Sequence, residues 1–153
     1  VYEKIFDKIG RPKKILDLGC GLNPLYFKEN KVFYTAVDAK DNTLKEVRKH
    51  FKKYRIKGEV IKSRIEDLKL EEKFDVVFLF KVLDSFKRDR QFVEWLLRKL
   101  KANWIIVSFS VRTISGKRMN NPRRIWFESI LKRSRFEHEK LRFYNELFYI
   151  IKK

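Results

Sequence analysis

The chain has 153 residues, 44% of them hydrophobic and 15% aromatic, as expected for one globular domain over 1–153 rather than a disordered chain. Its 38 Lys and Arg against 20 Asp and Glu give a net charge of +18, which favours a polyanion such as nucleic acid as the partner. The single cysteine excludes an internal disulfide, and without a membrane-length apolar segment or a Cys/His cluster we expect a cytoplasmic, metal-free protein without membrane contact.

Strand and helix signals alternate along the chain. Short apolar segments predict strands, and apolar residues spaced by three and four predict helices. In chain order, the elements are strands at 14–18 and 33–37, a helix at 41–54, strands at 58–62 and 74–80, a helix at 88–100 with Phe92, Trp95, Leu96 and Leu100 inward, a strand at 104–109, a helix from Pro122 to about Arg133, and strands at 136–143 and 146–152. This order predicts an α/β fold: a Rossmann-like, doubly wound, mostly parallel seven-stranded sheet ending in an antiparallel hairpin.

A glycine turn follows the first predicted strand. Gly19 and Gly21 allow a tight turn and a close approach of backbone amides to a ligand. Asp38 ends the second strand, where its carboxylate is placed to accept hydrogen bonds from ribose hydroxyls. Dinucleotide sites carry a third glycine, but Pro24 stands in its place, and the lack of a Gly-Lys-Ser/Thr sequence excludes a phosphate-binding P-loop.

The sequence DLGCG resembles the first motif of class I S-adenosylmethionine (SAM) methyltransferases, D/E-x-G-x-G. The resemblance implies that SAM is the cofactor, that Asp38 holds its ribose, and that RIEDL places Asp67 on the adenine amino group with Leu68 beside the ring. SAM carries no phosphates, so the third glycine is not needed. The predicted cofactor contacts are Asp17, Gly19, Cys20, Gly21, Asn23, Asp38, Ala39, Glu66, Asp67, Leu68, Phe80 and Lys81.

Five motifs extend the resemblance to a narrower family. In order they are LDLGCGLNPL, FKVL, VSFSVRTISGKRM, WFE and NELFYIIKK. Together they resemble the aminoglycoside-resistance 16S rRNA methyltransferases of the Arm, Rmt and FmrO type, which implies methylation of guanine N7 in rRNA or the small ribosomal subunit. Those enzymes carry a helical N-terminal extension, whereas 1–12 alone precede the core here, so we expect a minimal relative or one that lacks the extension.

The residue types agree with N7 chemistry by elimination. Guanine N7 has a free lone pair and no proton, so its methylation needs positioning but no general base. No catalytic residue is therefore assigned, and Cys20 is interpreted as a small packing residue. N1 of adenine remains an alternative, as does a ribose oxygen activated by Lys81 and Asp84.

The predicted RNA side follows the fifth strand, where basic residues outnumber acids. Arg112 lies close enough to face the target base or its phosphate, and Trp126 either stacks on a flipped base or packs in the core. The predicted RNA contacts are Arg112, Ser115, Lys117, Arg118, Arg123, Arg124 and Trp126. A second basic segment, 45–64, has nine Lys and Arg against two Glu.

These observations predict a monomeric, SAM-dependent rRNA methyltransferase. The alternatives are a SAM- and RNA-binding subunit that needs a partner, and a methyltransferase for another RNA or a small molecule. The Lys-rich, Gln-poor composition resembles that of thermophile proteins, so housekeeping modification is an alternative to drug resistance.

Overall fold

The structure is a computed structural model that describes residues 1–69, 71–112 and 124–153. Its elements are α1 (Tyr2–Ile9), β1 (Lys14–Leu18), β2 (Phe33–Asp38), α2 (Asp41–Tyr54), β3 (Lys57–Lys62), β4 (Phe74–Phe80), α3 (Arg90–Lys99), β5 (Ala102–Ser110), α4 (Ile125–Arg133), β6 (His138–Arg142) and β7 (Glu146–Lys152). They form one seven-stranded sheet in the order β3-β2-β1-β4-β5-β7-β6. β7 runs antiparallel to both β5 and β6, whereas the other pairs are parallel, so the predicted sheet is confirmed.

Helices cover both faces of the sheet. β4, with the sequence FDVVFLF, is buried along almost its whole length because it lies at the centre of a parallel sheet. One core contains Leu44 of α2 and Ile5 of α1, and the other contains Leu96 of α3 and Ile130 of α4. Parallel pairing brings the carboxyl ends of β1 to β4 to one edge, which is where ligands bind in this architecture.

Three local features differ from the prediction. α1 was not predicted, and its Ile5 and Phe6 pack on the sheet as one apolar stripe. Trp95 was predicted to face inward but is 47% exposed, because Val93 and Leu97 fill that core instead. α4 begins at Ile125, and the predicted start at Pro122 lies outside the described residues. Within the described part of the chain, no helix is both long and apolar enough to cross a membrane.

Candidate functional site

Two adjoining cavities lie at the carboxyl edge of the sheet. The first, which we call the glycine-turn cleft, has a volume of about 400 Å³ and is lined in part by Gly19, Asp38, Ala39, Lys40, Ile65 and Glu66. The second, the Tyr26 cavity, has a volume of about 460 Å³ and is lined in part by Tyr2, Asn23, Tyr26, Glu146 and Phe148. Phe80 and Lys81, at the end of β4, line both. The two cavities therefore meet where β4 ends, and each has the volume of a small-molecule site.

The turn after β1 needs its glycines. Gly19 and Gly21 have φ angles of +64° and +51°, in the left-handed region that side chains disfavour. A Cβ on Gly19 would lie 2.6 Å from Cγ2 of Val82, so the space above the turn is also closed to a side chain. The amide of Cys20 donates to the carbonyl of Val37 at 2.9 Å, which continues the pairing of β1 with β2 into the turn.

Asp38 connects this turn to the start of α2. Its Oδ2 accepts a hydrogen bond from the Gly21 amide at 2.9 Å, and its Oδ1 accepts one from the Lys40 amide at 2.8 Å. The carboxylate is half-buried and lines the glycine-turn cleft. Because a carboxylate offers about four acceptor sites, about two remain for donors in the cleft.

A buried acid lies beneath the turn. Asp17 is fully buried, and its Oδ2 accepts a hydrogen bond from the Tyr34 hydroxyl at 2.7 Å. Its Oδ1 has no hydrogen-bond partner among the described residues. Burial raises the pKa of Asp17 to about 7, the Tyr34 hydrogen bond opposes this rise, and the Asp38 charge adds to it. Burial likewise raises the pKa of the Cys20 thiol, which fits the expectation of a packing residue.

The end of β4 is held by a polar cluster that sequence reasoning missed. Lys81 adopts φ +57°, and its amide donates to the carbonyl of Ser108 at 3.0 Å. Glu146, nearly buried at the start of β7, accepts a hydrogen bond from the Ser108 hydroxyl at 2.6 Å and lies 3.8 Å from Nζ of Lys81. The only sequence signal for Glu146 was an acid that opens an apolar strand.

The loop after β3 places two predicted contacts differently. Glu66 lines the glycine-turn cleft as expected, but the Asp67 carboxylate lies 3.2 Å from Nε of Arg64 on the surface. Leu68 packs against the core and lines a separate cavity near Leu16. Ile65, in the 3₁₀ turn Ile65–Asp67, lines the cleft, and the position of Leu68 beside the cofactor ring stays a prediction.

The predicted RNA side is partly described. Ser115, Lys117, Arg118 and Arg123 lie outside the described residues. Arg112 is half-buried, with its guanidinium carbon 3.9 Å from the centre of the exposed Tyr144 ring. Tyr144 belongs to the β6–β7 turn, which the antiparallel register places at the carboxyl edge of the sheet. Arg112 therefore lies on the site side of the molecule.

Arg124 and Trp126 have surroundings that differ from the predicted ones. Arg124 is 7% exposed and forms a two-point ion pair with Asp84, at 2.8 and 3.0 Å, while also donating to the Ser110 carbonyl. Trp126 is buried with its ring against Phe109. Both side chains attach α4 to the fold, because the start of α4 lies against β5 and the turn after β4. Of the two interpretations of Trp126, core packing is the one that this geometry supports.

These features together define a class of protein. A glycine turn after β1, an acid closing β2 and an antiparallel seventh strand inserted beside β5 are the features of a class I methyltransferase fold. The family model described as a methyltransferase domain matches residues 16–107. The chain belongs to this family.

Relatives of two kinds are similar to the chain. A 16S rRNA (guanine(1405)-N(7))-methyltransferase from Micromonospora echinospora is 26% identical over 162 residues, covering 99% of this chain and 58% of the relative. A ubiquinone biosynthesis O-methyltransferase from Rickettsia canadensis is 31% identical over 98 residues, covering 61% of this chain and 41% of the relative. The chain thus spans between two fifths and three fifths of the length of these curated relatives.

The structural comparison supports the narrower resemblance. The solved structure of the 16S rRNA methylase ArmA superposes with a TM-score of 0.80 at 28% identity, covering 99% of this chain and 79% of that chain. The resemblance to the 16S rRNA methyltransferases predicted from the five motifs is therefore confirmed.

Proposed function

We propose that the chain is the catalytic domain of a SAM-dependent methyltransferase that acts on guanine N7 of small-subunit rRNA. The observation that carries this proposal is the pair of cavities meeting at Phe80 and Lys81, because methyl transfer needs a cofactor site and an acceptor site that share a wall. SAM supplies a methyl group on a sulfonium, and in-line displacement leaves S-adenosylhomocysteine.

The glycine-turn cleft fits the adenosine part of SAM. Asp38 has acceptor sites left for the two ribose hydroxyls after binding the Gly21 and Lys40 amides. Glu66 offers carboxylate oxygens at the cleft wall, and the apolar side chains of Ile65 and Phe80 suit a flat purine ring. Gly19 lets the turn pack directly against Val82 at the cleft wall, since a Cβ there would lie 2.6 Å from Cγ2 of Val82.

The Tyr26 cavity fits the acceptor base. Tyr26 is 80% exposed, so its ring is available at the cavity wall for stacking. Glu146 is already engaged by Ser108 and Lys81, which suits a positioning role rather than proton removal. Guanine N7 needs no proton removed, so an acceptor site built to position a base is sufficient for it.

The share of this chain that each relative matches favours an RNA substrate over a small-molecule substrate. The O-methyltransferase match covers 61% of this chain, whereas the rRNA methyltransferase match covers 99% of it. The second match therefore includes the part after β4 that carries Arg112 and Glu146. The net charge of +18 points the same way, since it favours a polyanionic substrate. A cytoplasmic location, a monomeric state and a role in drug resistance stay predictions.

The direct test is transfer of labelled methyl from SAM to intact small ribosomal subunits and to stripped rRNA, followed by nucleoside analysis. We expect 7-methylguanosine as the product. The substrate that accepts more labelled methyl shows whether the domain recognises a folded subunit or free RNA. SAM binding without transfer to either substrate would contradict an independently active rRNA enzyme. It would favour a subunit that needs a partner.

Replacing Arg112 by alanine is expected to leave SAM affinity unchanged and to lower kcat/KM for RNA by about 5- to 100-fold, as for loss of one arginine contact to RNA. The reason is that Arg112 lies against Tyr144 at the site edge, beyond both cavity walls. Arg11→Ala is the matched control, because Arg11 pairs with Glu3 and Glu29 and lies just before β1, at the far edge of the sheet. An equal loss of SAM binding in Arg112→Ala would move Arg112 into the cofactor site.

A further inference from the structure

An exposed aromatic side chain, Trp95, lies on α3 and lines neither of the two cavities. Trp95 is 47% exposed, and its ring stacks on that of Phe92 with 5.7 Å between centroids and 29° between planes. Phe92 is half-buried and packs in turn on Phe86, at 4.9 Å between centroids. One face of the indole is therefore supported by a ring while about half of the side chain remains open to solvent.

Basic residues lie close to Trp95 in the sequence, and two of them are its neighbours on α3. Arg98 and Lys99 lie three and four residues after it on the helix, so they are its neighbours on the same face. The exposed cations near it in sequence are Lys87, Arg88, Arg90, Arg98, Lys99 and Lys101. We call this surface, together with Trp95, the Trp95 face.

The two acids in this segment are engaged in holding the fold. Asp89 caps α3 by accepting from the Phe92 amide at 2.9 Å. Glu94 binds Arg98 and Arg133 and accepts from the Ser134 hydroxyl, which ties α3 to the end of α4. The surface around the indole thus carries an excess of positive charge, which favours a polyanionic ligand.

We propose that the Trp95 face binds single-stranded RNA, with one base stacked on the indole and neighbouring phosphates bound by the basic side chains. This inference rests on the proposed RNA substrate and adds a second contact outside the acceptor site. Every base offers a flat face to an aromatic ring, and a surrounding positive field holds the backbone. Trp95 combines base stacking with phosphate binding. One face of its indole packs on Phe92, the other is open to a base, and cations lie on the same face of α3.

The Trp95 face is continuous with the candidate site. Phe86, the inner member of the three aromatic rings, lines the glycine-turn cleft. Lys81 lines both cavities, so a strand whose target nucleotide enters the Tyr26 cavity can reach Trp95 by passing Lys81, the 3₁₀ turn Leu83–Phe86 and the start of α3. The expected ligand is an unpaired nucleotide that flanks the target, because a paired base has no free face to stack.

The test measures RNA binding without methyl transfer. Binding of a fluorescently labelled, unstructured 12-nucleotide RNA is compared with that of a duplex of equal length for the wild type, Trp95→Leu and Trp95→Phe. Phe33→Leu is the matched control, since Phe33 is 37% exposed on β2. Thermal unfolding of each variant checks that the fold is kept.

We expect Trp95→Leu to weaken single-strand binding by about 5- to 100-fold, with Trp95→Phe retaining most of the affinity and Phe33→Leu near wild type. Duplex binding should change little. The proposal would be overturned if Trp95→Leu and Trp95→Phe weakened single-strand binding equally, or if Trp95→Leu left it unchanged. It would also be overturned if Trp95→Leu changed only self-association. Methyl transfer by the same variants is measured separately. Normal methyl transfer with RNA affinity that does not depend on Trp95 would refute this inference and leave the proposed function standing.

Discussion

Replacing Asp38 by alanine is expected to weaken SAM binding by about 100-fold or more. The carboxylate accepts hydrogen bonds from the amides of Gly21 and Lys40, at 2.9 and 2.8 Å, and its remaining acceptor sites face the glycine-turn cleft. Hydrogen bonds to a charged group contribute about 1.5–3 kcal/mol each, so losing two ribose contacts alone accounts for a change of this size. Calorimetric titration with SAM measures it.

Asp41→Ala is the matched control for this prediction. Asp41, the first residue of α2, is also a half-buried acid, but its carboxylate faces Lys45 and Arg48 rather than the cleft. Its removal should leave SAM affinity within about twofold, as expected for loss of weak surface ion pairs. Unchanged SAM affinity in Asp38→Ala, with a normal unfolding temperature, would contradict the assignment of the cleft to the cofactor.

Replacing Asp17 by asparagine is expected to change the pH dependence of stability. Burial raises the pKa of Asp17 from 3.8 to about 7, so the folded state holds a proton that the unfolded state releases above about pH 4. The contribution of Asp17 to the free energy of unfolding is therefore fully present below about pH 4, and it falls as the pH rises to about 7. A shift of about three pH units corresponds to about 4 kcal/mol.

The measurement is urea unfolding of both proteins between pH 4 and 8. Other carboxylates ionise in the same range and reduce the repulsion of a chain with net charge +18, so the quantity to compare is wild type minus Asp17→Asn. We expect this difference to decline with rising pH. When the same comparison is made in the Tyr34→Phe background, with and without Asp17→Asn, the difference should decline over a higher pH range. The reason is that the Tyr34 hydrogen bond lowers the pKa of Asp17. Parallel curves for wild type and Asp17→Asn would contradict a protonated, buried Asp17.

Much of the fold was accessible from local patterns. The run FDVVFLF predicted a strand buried on both faces, and β4 lies at the centre of the sheet. The glycines of DLGCG predicted a tight turn, and both adopt positive φ angles. These features depend on backbone sterics and on apolar spacing, which are properties of a few consecutive residues.

The prediction that Trp95 faces the core was wrong because apolar spacing alone does not fix which face of a helix is buried. Apolar spacing on a helix leaves room for more than one face, and only contact with the sheet selected Val93 and Leu97 over Trp95. Helix α1 escaped prediction because its stripe is short and gains its stability from packing on the sheet. In both cases the deciding partner is distant in sequence.

Short runs of residues were enough to predict the order of strands and helices, the glycine turn and the acid at the end of β2. Which polar groups contact one another became clear from the folded chain alone. Folding pairs the nearly buried Arg124 with Asp84 and brings Glu146 to Ser108 and Lys81. The physical reason is that hydrogen bonds and ion pairs act over about 3–4 Å, so they depend on strand neighbours that no local pattern specifies.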